Sequence, residues 1–218
     1  EFRNPYETLT FFGIEPSMKV VELSPGGGWY TEILATYLNN SGELIAAHFD
    51  ENSSNNYLKK IRKNFEKKMD SNSIYESVKI VDLTSGLTEP RSADAVLTFR
   101  NLHNWLGSTM DTIFANSFKA LKSGGIFGVV EHRAEVGTSI QNMKKSGYVT
   151  EEHAIEVAKK HGFVLVSKSE INSNPKDLKN YEKGVWTLPP SLRLKEKNKG
   201  KYLAIGESDR MTLLFKKP

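Results

Sequence analysis

The sequence contains 218 residues, of which 38% are hydrophobic and 26% are charged, and its formal net charge is +4. Cysteine is absent, which excludes disulfide bonds, thiolate metal sites and catalysis by a cysteine nucleophile. No apolar run reaches the roughly 18 residues that a membrane helix needs, and the lysine-rich stretch at 59–68 falls on a predicted amphipathic helix, so neither a membrane nor a nucleic acid is the expected partner.

Short apolar runs alternate with longer amphipathic patterns along the chain. Strands are predicted at 19–23, 43–47, 78–81, 93–99, 125–130, 163–171 and 211–215, and helices at 30–38, 56–69, 110–121 and 151–161. Because strands that alternate with helices form parallel sheets covered on both faces, the pattern predicts an α/β fold. The length suits one core better than two, so we expect a single domain over residues 1–218.

The first predicted strand ends in a glycine-rich turn, Ser-Pro-Gly-Gly-Gly at 24–28, and a helix follows at once. Glycine allows a positive φ and a close approach of a ligand, and the carboxyl end of the first strand is where ligands bind in such sheets. A dinucleotide fingerprint would need glycine at position 31, where the chain has Thr31. Glu22 followed by Gly26 and Gly28 instead fits the S-adenosylmethionine (SAM) pattern, although a glycine turn without a ligand is the alternative.

The loops after the fourth and fifth strands carry many polar side chains. They read Arg-Asn-Leu-His-Asn-Trp at 100–105 and Glu-His-Arg at 131–133. Histidine as a residue type ordinarily titrates in the range of a general base, so His103 and His132 are catalytic candidates, and Glu131 and Arg133 complete the set. Each has an ordinary structural alternative, such as a helix cap or a surface ion pair. Only Glu131 supplies a carboxylate here, so no metal is expected.

The segment 172–209 shows no strand or helix period. Connections of this length are usually functional or disordered, but the apolar content of this one indicates that it packs on something. We predict that it covers the carboxyl ends of the strands before the last strand begins, bringing Trp186 and Arg210 near His103 and Arg133. The alternative is a structural arm or a dimer contact.

Eight segments give the sequence a specific resemblance. They are 11–16, 22–32, 46–50, 97–105, 121–133, 168–177, 184–190 and 206–213. In these segments, which extend over nearly the whole chain, the sequence resembles a family of bacterial predicted class I SAM-dependent methyltransferases. The resemblance implies a Rossmann-like sheet of seven mostly parallel strands with an antiparallel last strand, helices on both faces, and SAM as cofactor.

The resemblance also implies cofactor contacts. Glu22, Gly26 and Gly28 would line the methionine and ribose part of the pocket, and Ser24 and Arg100 are further candidates. The second strand of the superfamily normally ends in an acidic residue that binds the ribose hydroxyls.

In this sequence His48 stands at that ribose-binding position, with Asp50 two residues later, so either side chain would make the contact. Asp82, after the third strand, is a candidate for the adenine amino group or an ordinary loop residue.

The leading hypothesis is therefore SAM-dependent methyl transfer to a small molecule or an exposed protein side chain. The loop at 100–103 lacks the Asn/Asp-Pro-Pro-aromatic motif of adenine and glutamine methylases, which disfavours those acceptors. A catalytically silent SAM-binding or S-adenosylhomocysteine-binding protein is the alternative, and a nicotinamide oxidoreductase is a third. Many members of the family carry an export signal, which implies a periplasmic location if one has been removed and a cytoplasmic location otherwise.

Overall fold

The computed structural model describes residues 2–218. The strands are β1 (Lys19–Leu23), β2 (Glu43–His48), β3 (Lys79–Asp82), β4 (Ala93–Phe99), β5 (Leu121–His132), β6 (Val164–Ser169) and β7 (Arg210–Lys216). The helices are α1 (Pro5–Phe11), α2 (Trp29–Leu38), α3 (Asn56–Met69), α4 (Leu102–Trp105), α5 (Ser108–Ala120), α6 (Ile140–Ser146), α7 (Glu151–Lys160) and α8 (Lys199–Ile205). Short 3₁₀ turns lie at Ser73–Tyr75 and Gly184–Thr187.

The strands form one sheet in the order β3-β2-β1-β4-β5-β7-β6. Neighbours from β3 to β5 pair in parallel, whereas β7 is antiparallel to both β5 and β6. The predicted sheet of seven strands with an antiparallel last strand is therefore confirmed.

Helices cover both faces of the sheet, and apolar side chains fill each interface. On one face Leu34 of α2 and Phe65 of α3 are buried with the apolar residues of α1. On the other, Phe114 of α5 packs with buried residues of α6 and α7. Burial of apolar surface on both faces explains why the central strands are almost purely aliphatic.

Several helix limits follow from local chemistry. Asn55 accepts a hydrogen bond from the backbone N–H of Tyr57 at 2.9 Å and starts α3, and Thr150 starts α7 through a 3.1 Å bond from His153 N–H. The helices α1, α4, α6 and α8 were not predicted, because each spans two turns or fewer and shows little periodicity. No helix within residues 2–218 has both the length and the apolar character for crossing a membrane.

The strand order fixes where a ligand can bind. From the adjacent strands β1 and β4 the sheet extends in opposite directions, to β2 and β3 on one side and to β5, β7 and β6 on the other. The loops that follow β1 and β4 therefore diverge and leave a crevice at their carboxyl ends. The glycine turn and the polar loop at 100–105 meet at this crevice.

Candidate functional site

Two cavities lie at the carboxyl ends of β1 and β4. The first has a volume of about 360 Å³ and the second about 690 Å³, both within the range of small-molecule sites. Their walls share Ser24, Gly26, Asn101, His103 and Trp186. We call the first the inner cavity and the second the outer cavity; the shared residues form the junction between them.

The glycine turn shapes this junction. Ser24 has a φ of +47°, and its buried hydroxyl has no hydrogen-bond partner among residues 2–218. Gly26 has a φ of +60°, and a Cβ added there would meet no described atom within 4 Å. Both observations fit a cradle for a ligand, because an orphaned buried hydroxyl costs free energy unless something bonds to it.

Glu22 lies beneath the turn rather than on a cavity wall. Its buried carboxylate accepts a 2.6 Å hydrogen bond from the Thr31 hydroxyl. Burial raises the pKa of Glu22 from its ordinary 4.5 to about 7, against the opposing effects of Thr31 and the Lys68 charge. Thr31, which argued against a dinucleotide fingerprint, therefore holds the acidic residue of the turn in place.

The raised pKa of Glu22 predicts how stability depends on pH. The folded protein binds the Glu22 proton more tightly than the unfolded chain does. Protonated Glu22 therefore contributes its full share of the free energy of unfolding below about pH 4.5, and this share is lost as the pH rises to about 7. The loss is roughly 3 kcal/mol at 1.36 kcal/mol per pKa unit. We expect the stability of Glu22→Gln relative to wild type to rise by about this amount between these pH values, measured by urea unfolding. A constant difference would contradict the buried position.

His48 is placed differently from the prediction for the ribose contact. It is fully buried, and its Nδ1 accepts a hydrogen bond from Phe49 N–H at 2.8 Å. Its Nε2 therefore carries the proton and donates to the carbonyl oxygen of Gly26 at 3.2 Å. Both ring nitrogens are thus engaged with the backbone, and His48 supports the glycine turn from behind.

The two acidic candidates also differ in position. Asp50 lies on the wall of the outer cavity. Asp82 instead pairs with the guanidinium of Arg62 at 3.3 Å, and the residues of its loop on the cavity wall are Leu83 and Thr84. The acidic group available to a ribose is therefore that of Asp50.

Gly28 does not line either cavity. It starts α2 with a φ of +76°, and a Cβ there would lie 3.1 Å from the ring of Phe65. Gly28 thus lets α2 pack closely on α3, whereas the prediction had placed it in the cofactor pocket.

Arg100 forms part of the inner cavity and belongs to a cluster of three arginines around one carboxylate. The carboxylate of Glu207 accepts hydrogen bonds from the guanidinium groups of Arg3, at 2.9 Å, and of Arg210. The guanidinium of Arg100, which lines the inner cavity, lies 3.6 Å from the same carboxylate. Burial and the two neighbouring arginines lower the pKa of Arg100 to about 10. The guanidinium still carries its charge at neutral pH, so this wall of the inner cavity is positive.

The two histidines face each other across the junction, with ring centres 5.3 Å apart. His103 lines both cavities, and its Nδ1 lies 3.0 Å from the buried carboxylate of Glu131. His132 lines the inner cavity, and its Nδ1 lies 2.5 Å from the hydroxyl of Ser208. Burial and the nearby His103 hold the pKa of His132 well below its ordinary value, so its ring is neutral at neutral pH.

Arg133 is separated from these groups. Its guanidinium binds Asp209 at 2.9 Å, Glu170 at 2.6 Å and Glu151 at 3.1 Å. This network joins the end of β5 to the segment before β7. This geometry supports a structural role for Arg133 at the rim of the site rather than contact with a reacting group.

The segment 172–209 packs over the junction. Trp186 lies 5.9 Å from the ring of His103 and 4.5 Å below the guanidinium of Arg193. The buried hydroxyl of Tyr148 donates to Asp177 at 3.0 Å and ties the segment to the body of the protein. Arg210 lies deeper, with its guanidinium on Glu207 rather than on either cavity.

Several wall residues were missed in the sequence. Asn101 donates to the backbone carbonyl of Leu23 at 3.1 Å and so joins the loops that follow β1 and β4. Trp29 lines the inner cavity, and Tyr57 and Arg193 line the outer one. Asn101 stands inside the polar loop and was recognisable there, whereas the others come from distant segments with no local signal.

Residues of the junction and of the two cavities fit SAM. The orphaned hydroxyl of Ser24 and the open space at Gly26 suit a ligand that approaches the backbone closely, and Asp50 suits a ribose hydroxyl. Arg100 offers a positive charge to a carboxylate, as the methionine portion requires.

Comparisons with known proteins support the fold. No family model matches the sequence, and no curated protein matches it. A SAM-dependent methyltransferase from Aquifex aeolicus matches 100% of this chain and 91% of its own at a TM-score of 0.66 and 12% identity. The [4+2]-cyclase SpnF matches 99% of this chain and 81% of its own at a TM-score of 0.69 and 14% identity. Geranyl diphosphate C-methyltransferase from Streptomyces coelicolor A3(2) matches 98% of this chain and 79% of its own at a TM-score of 0.66 and 9% identity.

Proposed function

We propose that this protein transfers the methyl group of SAM to a small-molecule acceptor. The observation that carries the proposal is the junction between the two cavities, where an orphaned hydroxyl, an open glycine cradle and His103 meet. The outer cavity would hold the adenosine part, and the inner cavity would hold the methionine part together with the acceptor. The fold similarity to methyltransferases supports the same assignment.

Bound SAM would supply an electrophilic methyl group on a sulfonium. The chain's own contribution would be to align the acceptor with that methyl group and to exclude water. Trp186 and the segment 172–209 would exclude water, and Asn101, which joins the loops that follow β1 and β4, would keep the line of attack fixed. Positioning of this kind is worth roughly 7–11 kcal/mol of a barrier.

A protein that binds SAM without methyl transfer is the second candidate. The inward position of His48 favours it, because the usual acidic ribose contact at the end of β2 is missing and only Asp50 replaces it. The fold similarity to the [4+2]-cyclase SpnF shows that this fold is also found in a protein with a different stated activity. A periplasmic location would favour this candidate too, since SAM is made in the cytoplasm.

Calorimetry and labelled methyl transfer would test the proposal together. We expect SAM and S-adenosylhomocysteine to bind with one-to-one stoichiometry and NAD not to bind. We also expect label from SAM to reach an organic product when the protein is incubated with a low-molecular-mass cell extract. Binding without label transfer would favour the silent candidate, and binding of NAD alone would overturn both.

A further inference from the structure

We infer that Glu131 and His103 act as a proton-accepting pair and that the acceptor is a hydroxylated aromatic ring. This inference rests on the proposed methyl transfer and names its acceptor class. In it, His103 is the catalytic base and Glu131 is the residue that positions it. Four observations carry it: the hydrogen bonds of Glu131, the orientation of His103, the apolar faces of the inner cavity, and its positive wall.

The carboxylate of Glu131 is fully buried at the end of β5 and is satisfied on both oxygens. One oxygen accepts from the backbone N–H of Leu102 and, at 3.4 Å, of His103. The other accepts from the backbone N–H of His132 at 2.7 Å and contacts Nδ1 of His103 at 3.0 Å. With backbone N–H donors on both of its oxygens, the carboxylate acts as an acceptor, and we infer that it accepts from His103 as well.

The orientation of His103 follows from that contact. Since the carboxylate is an acceptor, Nδ1 of His103 must carry a proton and donate it. In the neutral ring Nε2 then holds a lone pair, and it lies on the side of the ring away from Glu131. His103 lines both cavities, so this lone pair lies where an acceptor proton can reach it.

A metal ion is the competing interpretation of the same residues. Ligand atoms of His103, Glu131 and His132 lie within 4.8 Å of one another, close enough for one ion. However, a carboxylate has about four lone-pair sites, and Glu131 already uses four contacts within the protein. Coordination would break these bonds to a buried group, so the geometry favours proton transfer over ion binding.

The walls of the inner cavity combine flat apolar side chains with polar groups, which points to a planar acceptor that carries a polar substituent. Trp29, Trp186, Pro189, Pro190, Val185 and Phe99 all contribute to it. Aromatic rings and prolines present flat faces that suit a planar ring. A ring held between them would direct one polar substituent toward His103.

The charge of the cavity decides which substituent that is. Arg100 lines this wall, with Arg3 and Arg210 beyond it around Glu207. Their three positive charges exceed the negative charges of Glu207 and of one bound carboxylate, which disfavours an acceptor that arrives as an ammonium ion. A thiol is partly ionised at neutral pH and needs a base least. A neutral hydroxyl is the nucleophile that requires both the base and a wall without negative charge.

The proposed step balances as follows. The hydroxyl oxygen forms a bond to the methyl carbon while the hydroxyl proton moves to Nε2 of His103. The carbon–sulfur bond breaks, and its electron pair stays on sulfur, giving S-adenosylhomocysteine and the methyl ether. The imidazolium is stabilised by Glu131 and later loses its proton to solvent.

Nitrogen NMR of histidine-labelled protein tests the pair without an acceptor. At a pH of about 8.5, above the ordinary histidine range, we expect His103 to show a protonated Nδ1 and an unprotonated Nε2. The His103→Gln variant assigns the signal. The Glu131→Gln variant should shift His103 toward the opposite tautomer, a change that a merely structural Glu131 would not produce. A protonated Nε2 of His103 in the wild type would overturn the inference. So would a shift of the Nε2 signals of both His103 and His132 on addition of stoichiometric Zn²⁺, since it would show a metal site.

Methyl transfer to naphthol, naphthylmethylamine and naphthalenethiol tests the acceptor class, because the arylmethyl amine arrives as an ammonium ion at neutral pH. We expect naphthol to be methylated on oxygen and His103→Gln to lower kcat by roughly 100- to 10,000-fold at saturating SAM, which the variant should still bind. His153 lies in α7 outside both cavities, so the His153→Gln variant is the matched control and should retain full activity. Transfer only to the amine or thiol, transfer to none of the three, or an unaffected His103→Gln variant would overturn the inference. Intact SAM binding in those cases would leave the cofactor assignment standing, whereas lost SAM binding would contradict the proposed function itself.

Discussion

Replacing Gly26 by valine is expected to abolish SAM binding while the protein remains folded. Gly26 lines both cavities, and an added Cβ would meet no described atom within 4 Å, so the valine side chain would occupy space that the cofactor needs. The φ of +60° adds backbone strain for any residue other than glycine. We expect an affinity loss of at least about 100-fold, equivalent to about 3 kcal/mol, in calorimetric titrations.

Gly13→Val is the matched control for backbone strain. Gly13 has a φ of +69° and a Cβ there would also meet no described atom within 4 Å, but it lies outside both cavities. The two variants should therefore lose similar stability, and only Gly26→Val should lose SAM binding. Equal affinity in both would place the cofactor elsewhere.

Replacing Gly147 by alanine is expected to loosen the segment 172–209 from a position outside both cavities. Gly147 follows α6 with a φ of +74°, and its Cβ would lie 2.7 Å from Val185 and 3.0 Å from Trp186. These two residues would have to move away from the inner cavity. We expect weaker SAM binding and about tenfold faster tryptic cleavage within 172–209, equivalent to about 1.4 kcal/mol of easier local opening.

Gly137→Ala controls for the backbone cost of this change. Gly137 has a φ of +79° with no described atom within 4 Å of an added Cβ. It should lose a comparable amount of conformational stability and keep the wild-type digestion rate in 172–209. If both variants are digested equally fast, Trp186 is not held in place through Gly147, and the segment is an arm rather than a cover.

The sheet was predictable because its strands are buried on both faces. Val20, Val21 and Leu23 of β1 are all fully buried, and such aliphatic runs have few alternatives in a parallel sheet. The loops at 100–105 and 131–133 were predictable as neighbours, since the carboxyl ends of adjacent parallel strands lie at one edge.

Other features depend on contacts that no local pattern encodes. The inward orientation of His48 is set by the carbonyl of Gly26 and the amide of Phe49, which only the folded turn brings together. The segment 172–209 has no period because ion pairs and side-chain bonds hold it, such as that between Tyr148 and Asp177. Arg133 looked catalytic next to His132, yet three carboxylates from distant parts of the chain hold its guanidinium, and no local pattern shows these contacts.

The left-handed backbone at Ser24 and Arg100 has a consequence for the evolution of this protein. Each residue carries φ values that cost a side chain roughly 1–3 kcal/mol, and both lie on the wall of the inner cavity. If these residues bind the proposed cofactor, the fold gives up stability to keep a loop already shaped for it. Selection for heat resistance alone would favour replacing these residues, and lineages kept under that selection would drift toward stable proteins with a damaged site.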